Sequence, residues 1–144
     1  MNSEEVFLQG FALRFLLLGS IISLKEVIVM KESPLIIKSK DFALDVIKVC
    51  KELRNAKCES ALINQFLRSG SSVGANIREA FYAHGKADFV AKLQIALKEC
   101  SESEYWIELL LDSGYYNDKT LLDKCTEVKR ILISSINTSK ENIK

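Results

Sequence analysis

The chain has 144 residues, of which 48% are hydrophobic, as expected for one globular domain with a single packed core. Its one proline and six glycines argue against long disordered linkers. The net charge of +1 excludes a polycationic chain, so any binding of nucleic acid must come from a local basic patch.

Residues 1–32 form an N-terminal extension ahead of a domain that spans residues 33–144. The apolar run of the extension is too short for a membrane span, which needs about 20 apolar residues. A secretory signal begins with positive charge, whereas this extension begins with Glu4 and Glu5. Two readings stay open. The first is an extra amphipathic helix, which would pack on the domain, touch a membrane surface or bind a partner. It is predicted by apolar residues at helical spacing: Val6, Phe7, Phe11, Phe15, Leu18 and Ile22. Alternatively, Met30 is the natural start.

Helix one is predicted to begin after Pro34, with Ser39 as its N-cap and Asp41 in its first turn. Its buried stripe is expected to contain Phe42, Val46, Val49, Cys50 and Leu53.

Helix two is predicted to begin at a Ser60 cap. The run 69–74 favours a loop when read alone, because it is rich in serine and glycine. The apolar stripe nevertheless keeps its phase from Phe66 to Phe81, which indicates one continuous helix. Gly70 and Gly74 lie four residues apart on one face, so we expect a neighbouring helix to approach closely there.

Helix three follows a break at Gly85 and ends at a Gly114 C-cap, with Asp88 in its first turn and Lys98 paired with Glu102. Its core stripe is predicted to contain Phe89, Leu93, Ala96, Leu97, Cys100, Ile107 and Leu111. Helix four is predicted to be capped by Asn117 or Asp118 and to fray after Thr138. Its buried side is expected to contain Leu121, Leu122, Cys125, Val128, Leu132 and Ile136.

Four helices joined by short turns predict an all-α, antiparallel up-down-up-down four-helix bundle. Residues 67–98 carry five lysine and arginine residues against two acidic residues, a net charge of +3. Residues 99–118 carry six acidic residues and no lysine or arginine, a net charge of −6. Antiparallel packing therefore predicts a basic pole at the turn between helices two and three, formed by Arg78, His84, Lys86 and Lys92.

Several segments of the chain resemble the four-helix bundle protein family that is also named for the 23S ribosomal RNA intervening-sequence proteins. The resemblance extends from about Lys38 to Ser139 and includes the turn 113–116. Its motifs are Arg-Ser-Gly-Ser-Ser-Val-Gly-Ala-Asn-Ile-Arg-Glu-Ala at 68–80, Lys-Ala-Asp-Phe at 86–89, Leu-Gln-Ile-Ala-Leu-Lys-Glu at 93–99 and Glu-Tyr-Trp-Ile-Glu-Leu-Leu at 104–110. The family often has serine where Gly85 stands, so the cap of helix three is expected to be weaker here.

The resemblance implies an antiparallel bundle that assembles as a homopentamer, has no enzymatic activity and binds RNA. A distant relative is the accessory protein of diversity-generating retroelements, which binds a reverse transcriptase and nucleic acid. The resemblance does not extend to the residues before Met30.

Candidate RNA-binding residues are the members of the basic pole, since phosphate contacts need exposed arginine and lysine. Tyr82 lies beside them and is placed to stack on a base. The alternative is that this pole is solvated surface without a ligand.

A second polar stripe on helix two consists of Arg68, Ser72, Asn76 and Glu79. One interpretation is that it forms a subunit interface or a close helix contact beside Gly70 and Gly74. The other two are that it contacts RNA, or that its side chains form hydrogen bonds within the subunit. Three more residues are candidates for interface or packing contacts: Glu99, Glu104 and Trp106.

No catalytic, metal or cofactor site is expected. The four cysteines lack Cys-x-x-Cys spacing, and the single histidine, His84, has no glutamate three residues before it, so zinc and ferritin-like di-iron sites are excluded by pattern. No histidine is placed to act as a base for the serines, and His84 is expected to be a turn residue. Cys50, Cys100 and Cys125 are predicted to be small buried hydrophobes in a reducing cytoplasm.

Three functional hypotheses follow. The first is a cytoplasmic self-assembling bundle that binds RNA or a nucleoprotein through its basic pole. The second is a protein scaffold or accessory subunit, for example of a reverse transcriptase, with no RNA affinity of its own. The third is a membrane-associated oligomer that uses residues 6–29. No small-molecule substrate is expected.

Overall fold

The computed structural model describes Ile28, Lys31 and residues 33–141. The chain divides into two units, Met1–Ser33 and Pro34–Lys144, and the helices described below belong to the second. The predicted N-terminal helix of residues 6–22 lies outside the described residues.

The described domain is all-α and consists of four helices in the order α1 (Pro34–Asn55), α2 (Ser60–Ala80), α3 (Lys86–Asp112) and α4 (Thr120–Glu141). Each helix packs against two neighbours: α1 and α3 both contact α2 and α4. The predicted up-down-up-down bundle is therefore confirmed. Among residues 33–141 there is no β-strand, and no helix is both long and apolar enough to cross a membrane.

The core runs along the bundle axis and consists mainly of the predicted stripes. Phe42, Val46, Phe66, Leu93 and Ile107 are fully buried. Helix α2 passes through 69–74 without a break, as the phase of its apolar stripe predicts. Cys50, Cys100 and Cys125 are buried and unpaired, which confirms their prediction as small core residues, and Cys58 is buried and unpaired as well.

The start of α1 differs from the prediction. The helix begins at Pro34, whose fixed φ and missing N–H suit the first turn of a helix. Ser39 is consequently not an N-cap but a buried residue inside the helix, and its hydroxyl donates to Ile36 O at 3.1 Å. The predicted Ser60 cap is also wrong, because Glu59 holds that position with no side-chain cap bond and Ser60 is the first helical residue.

The buried face of α3 is rotated slightly from the predicted one. Phe89, Leu97 and Leu111 are only partly buried, and Leu122 of α4 is likewise half-buried. Fully or nearly fully buried residues that were not predicted are Val90, Ser103 and Leu110. Helix α4 also continues past Thr138 to Glu141, which is further than the sequence predicts.

The turns end the helices with the expected residues. Gly114 has φ +77°, and its N–H donates to Leu111 O, which closes α3 as predicted. Asp118 accepts the N–H of Thr120 at 2.9 Å and so caps α4. Gly85 is the N-cap of α3 and offers no side-chain bond.

Candidate nucleic-acid interface

The basic pole lies where α2 ends and α3 begins. Arg78, Tyr82, His84 and Lys86 are exposed there. Antiparallel packing brings the first turn of α1 to the same end, because Gly74 of α2 lies against Ser39 of α1. The end of the bundle therefore presents side chains from several helices to solvent.

Arg78 is the most available cation of this pole. It is exposed, and no acidic side chain within residues 33–141 pairs with it. It lines a groove of about 220 Å³ between α1 and α2, together with Ile36, Lys40, Ser71 and Ala75. The described lining contains two cations and no carboxylate, so it is electrostatically suited to a phosphate group.

Lys92 is placed differently from what the charge count predicts. Its ammonium donates to the Glu79 carboxylate at 2.6 Å, and this contact raises the pKa of Lys92. The positive charge of Lys92 is therefore already balanced inside the subunit. To contact RNA, Lys92 would have to release the Glu79 carboxylate and bind a phosphate in its place.

His84 is an exposed turn residue. Its backbone N–H donates to the Asp88 carboxylate at 3.2 Å, which fixes the turn against the start of α3. The same carboxylate lies in the first helical turn, where the helix dipole stabilises it. Asp88 therefore stabilises the turn, but its negative charge also reduces the net positive charge of the basic pole.

The polar stripe of α2 is hydrogen-bonded within the subunit. Arg68 donates to Glu99 Oε2 at 3.3 Å and also to Glu102, both on α3. Ser72 Oγ donates to Arg68 O at 2.7 Å, and Asn76 Nδ2 donates to Ser72 O at 2.9 Å. The fourth member, Glu79, holds Lys92.

Glu102 is the centre of this polar cluster. It accepts from Arg68 and, at 3.2 Å, from the indole N–H of Trp106, and these two bonds lower its pKa. Trp106 is half-buried and packs its ring beside Tyr105. The predicted pair of Lys98 with Glu102 is replaced by this longer-range pair, because Arg68 reaches the same carboxylate from α2.

Glu104 faces the other neighbouring helix and accepts a hydrogen bond from Lys129 of α4. Below the polar surface, the hydroxyls of Ser69 and Ser103 lie 3.0 Å apart in the core. Burial of two hydroxyls that satisfy each other fixes the packing of α2 against α3. No sequence pattern indicates this pair, because α2 is rich in serine but α3 contains only Ser101 and Ser103.

Gly70 and Gly74 both lie toward α1. A Cβ added at Gly70 would come within 2.8 Å of Val46, whereas one at Gly74 would lie 3.6 Å from Ser39 O. Gly70 is therefore required for the approach of α1 to α2, and Gly74 forms part of the groove floor.

Comparison with known proteins places these features in a family. The model of the 23S rRNA-intervening sequence protein family matches residues 31–134. A crystal structure of a protein of unknown function from the S23 ribosomal protein family of Bacteroides thetaiotaomicron is 44% identical, covers 71% of this chain and 97% of its own, and superimposes with a TM-score of 0.69. No match was found among curated proteins.

Proposed function

Because the chain belongs to the 23S rRNA-intervening sequence protein family, we propose that it is a non-enzymatic homo-oligomer that binds RNA, or a nucleoprotein containing RNA. The binding surface in this proposal is the basic pole. The expected RNA is related to 23S ribosomal RNA, in keeping with the family's name. The family resemblance supports a pentamer, and the four unpaired cysteines support a reducing, cytoplasmic location.

The observation that carries the proposal is the position of Arg78. It is an exposed guanidinium without a carboxylate partner in the described domain, and it shares a groove with Lys40. Guanidinium and ammonium groups in such a setting suit the phosphates of a nucleic-acid backbone. Tyr82, with 44% of its surface exposed, stands near the same end, and base stacking on its ring is part of the proposal.

The distribution of the other charges supports this choice of surface. Arg68, Lys92, Lys124 and Lys129 are all held by carboxylates within the subunit. Ion pairs of this kind reduce the local positive potential. The basic pole is therefore a better phosphate site than the polar stripe of α2, and Arg68 is assigned to packing of α2 against α3.

The test is binding of a fluorescently labelled fragment of bacterial 23S ribosomal RNA, followed by anisotropy. Arg78→Glu combined with Lys86→Glu is expected to weaken binding by at least about tenfold, since two phosphate contacts become repulsive. Lys119→Glu, an exposed lysine at the opposite end of the bundle, is the matched control and should bind almost as the wild type. Equal affinity of all three proteins would contradict the assignment of the basic pole.

A protein scaffold or accessory subunit is the second candidate. It is favoured by the aliphatic side chains that α1 exposes, Ile37, Leu44 and Ile47, because uncovered aliphatic side chains on one helix face suit a protein partner. A folded, oligomeric wild type that binds no RNA even at low salt would support this candidate and exclude the first.

A further inference from the structure

The outer face of α1 carries three aliphatic side chains that the bundle does not cover. Ile37, Leu44 and Ile47 expose 47%, 47% and 42% of their surface. They recur at i, i+7 and i+10, on the side of the helix opposite the buried Val46. Lys51 extends the stripe by one turn; it is exposed and has no acidic partner in the part of the domain described. This face of α1 is therefore aliphatic along its centre, with the exposed lysines Lys40, Lys48 and Lys51 beside it.

The outer face of α3 has the complementary character. Tyr105 exposes 53% of its surface, and Leu109 beside it is half-buried. Glu108 and Asp112 are exposed, and neither forms an ion pair with a cation between residues 33 and 141. The spacing i, i+3, i+4 and i+7 is the pattern by which one helix face anchors on another protein.

The two faces lie at matching heights along the bundle. Val46 packs on Gly70, and the adjacent Ser69 contacts Ser103, so Val46 and Ser103 belong to one layer. Helices α1 and α3 run in the same direction, since both are antiparallel to α2. Lys51 lies five residues beyond Val46, and Glu108 lies five residues beyond Ser103. The lysine and the glutamate are therefore level with one another.

We propose that α1 of one copy of the chain packs beside α3 of a second copy, with Ile47 against Tyr105 and Lys51 paired with Glu108. This inference rests on the self-assembly that forms part of the proposed function. In a cyclic assembly whose bundles run parallel to the axis, groups at equal heights meet. The contact covers the aliphatic stripe of α1 and gives Glu108 a cation, which it lacks among the described residues of its own subunit.

The contact is head-to-tail. Helices α1 and α3 are diagonal in the bundle, because each packs on α2 and α4, so their outer faces point away from each other. Each copy consequently presents an α1 face to one neighbour and an α3 face to the other. Such heterologous contacts form a ring when the rotation between neighbours closes.

The test is the molar mass of the full chain by size-exclusion chromatography with light scattering, without RNA. Lys51→Glu and Glu108→Lys each place like charges opposite one another, so each is expected to weaken assembly by at least about tenfold. The double variant, Lys51→Glu with Glu108→Lys, restores opposite charges and is expected to regain the wild-type mass. Arg130→Glu makes the same charge change on α4, outside both faces, and should assemble normally.

A pair of variants at exposed isoleucines tests the same contact independently. Ile47→Asp introduces a charge into the proposed interface and should dissociate the assembly. Ile133→Asp is the matched control, because Ile133 is also 42% exposed but lies on α4. Circular dichroism establishes that both variants remain helical, so a loss of mass reports the interface.

The outcomes separate the two claims. A monomeric wild type would overturn both the proposed self-assembly and this interface. A wild-type oligomer whose mass is unaffected by Lys51→Glu, or is not regained by the double variant, would overturn the interface alone. RNA binding is measured separately on variants of the basic pole, so its failure leaves this result intact.

Discussion

Gly70 of α2 lies so close to Val46 of α1 that an added methyl group would come within 2.8 Å of one valine methyl and 2.9 Å of the other. Val46 is fully buried and surrounded by core residues, so it has no free space to move into. The glycine thus sets the distance between the first two helices.

Gly70→Ala is expected to destabilise the domain. Overpacking in a core costs about 1–3 kcal/mol, and the gain in helix propensity returns about 1 kcal/mol, so the free energy of unfolding should fall by about 1 kcal/mol. Chemical denaturation of the full chain measures this change. The double variant Gly70→Ala with Val46→Ala should lose less free energy of unfolding than the two single variants together, because the smaller side chain at position 46 makes room for the new methyl group.

Gly74→Ala serves as the matched comparison. The added methyl group would meet Ser39 O at 3.6 Å, which is an ordinary contact. Removal of a helical glycine should therefore raise the free energy of unfolding by up to about 1 kcal/mol. Destabilisation by Gly74→Ala as large as that by Gly70→Ala would show that both glycines are equally tightly packed.

Gly114→Ala should destabilise the end of α3. Gly114 has φ +77°, and a left-handed conformation costs an ordinary residue roughly 1–2 kcal/mol. Gly114→Asn should cost less, because asparagine tolerates this conformation better than alanine. Equal unfolding midpoints for the wild type and the alanine variant would contradict this account of the turn.

The ion pair of Glu102 with Arg68, together with its hydrogen bond from Trp106, makes a small part of the stability dependent on pH. Arg68, and then the indole of Trp106, hold the pKa of Glu102 below its ordinary value. A lowered pKa stabilises the folded state above the pKa of the unfolded chain, and this stabilisation is lost as the pH falls below about 5. The side chain is about a third exposed, so the effect should stay under about 1 kcal/mol.

Thermal unfolding of Glu102→Gln between pH 7 and pH 3 checks this prediction. The variant should unfold at a lower temperature than the wild type at pH 7, and the difference should shrink as the pH falls, because the stabilisation by the lowered pKa is progressively lost. A difference that stays constant with pH would mean that Glu102 contributes through packing and not through its charge.

The cysteines should react slowly with a disulfide reagent while the domain is folded. Burial raises the pKa of Cys50 to about 11, which leaves about a hundredfold less thiolate than an ordinary thiol. Contact with the Cys100 thiol, together with burial, likewise raises the pKa of Cys125. Four thiols should react rapidly in guanidinium chloride. Rapid reaction of all four in native buffer would contradict the burial described here.

Much of the fold follows from the phase of the apolar residues. The stripe from Phe66 through Val73 to Phe81 predicts an unbroken α2 despite the serines and glycines of 69–74, and the structure agrees. The stripe is less informative in α3, where Leu109, Leu110 and Leu111 are consecutive and only Leu110 is nearly fully buried. Three adjacent leucines do not reveal which one faces the core.

The polar site was harder to predict because its partners come from different helices. Lys92 is bound by Glu79, 13 residues earlier, and Arg68 reaches Glu102, 34 residues later. A local charge count identifies the sign of each segment but not which charges neutralise each other. The same limitation applies to Ser39, whose burial depends on α1 beginning at Pro34 and packing against α2.

The central claim, that this domain binds RNA through exposed cations of its basic pole, is tested most directly by the salt dependence of binding to a labelled 23S ribosomal RNA fragment. The account predicts that the logarithm of the binding constant falls linearly with the logarithm of salt concentration, with a slope of at least about two, and that Arg78→Glu reduces this slope by about one. Absence of binding at low salt, or an affinity that does not change with salt, would contradict it.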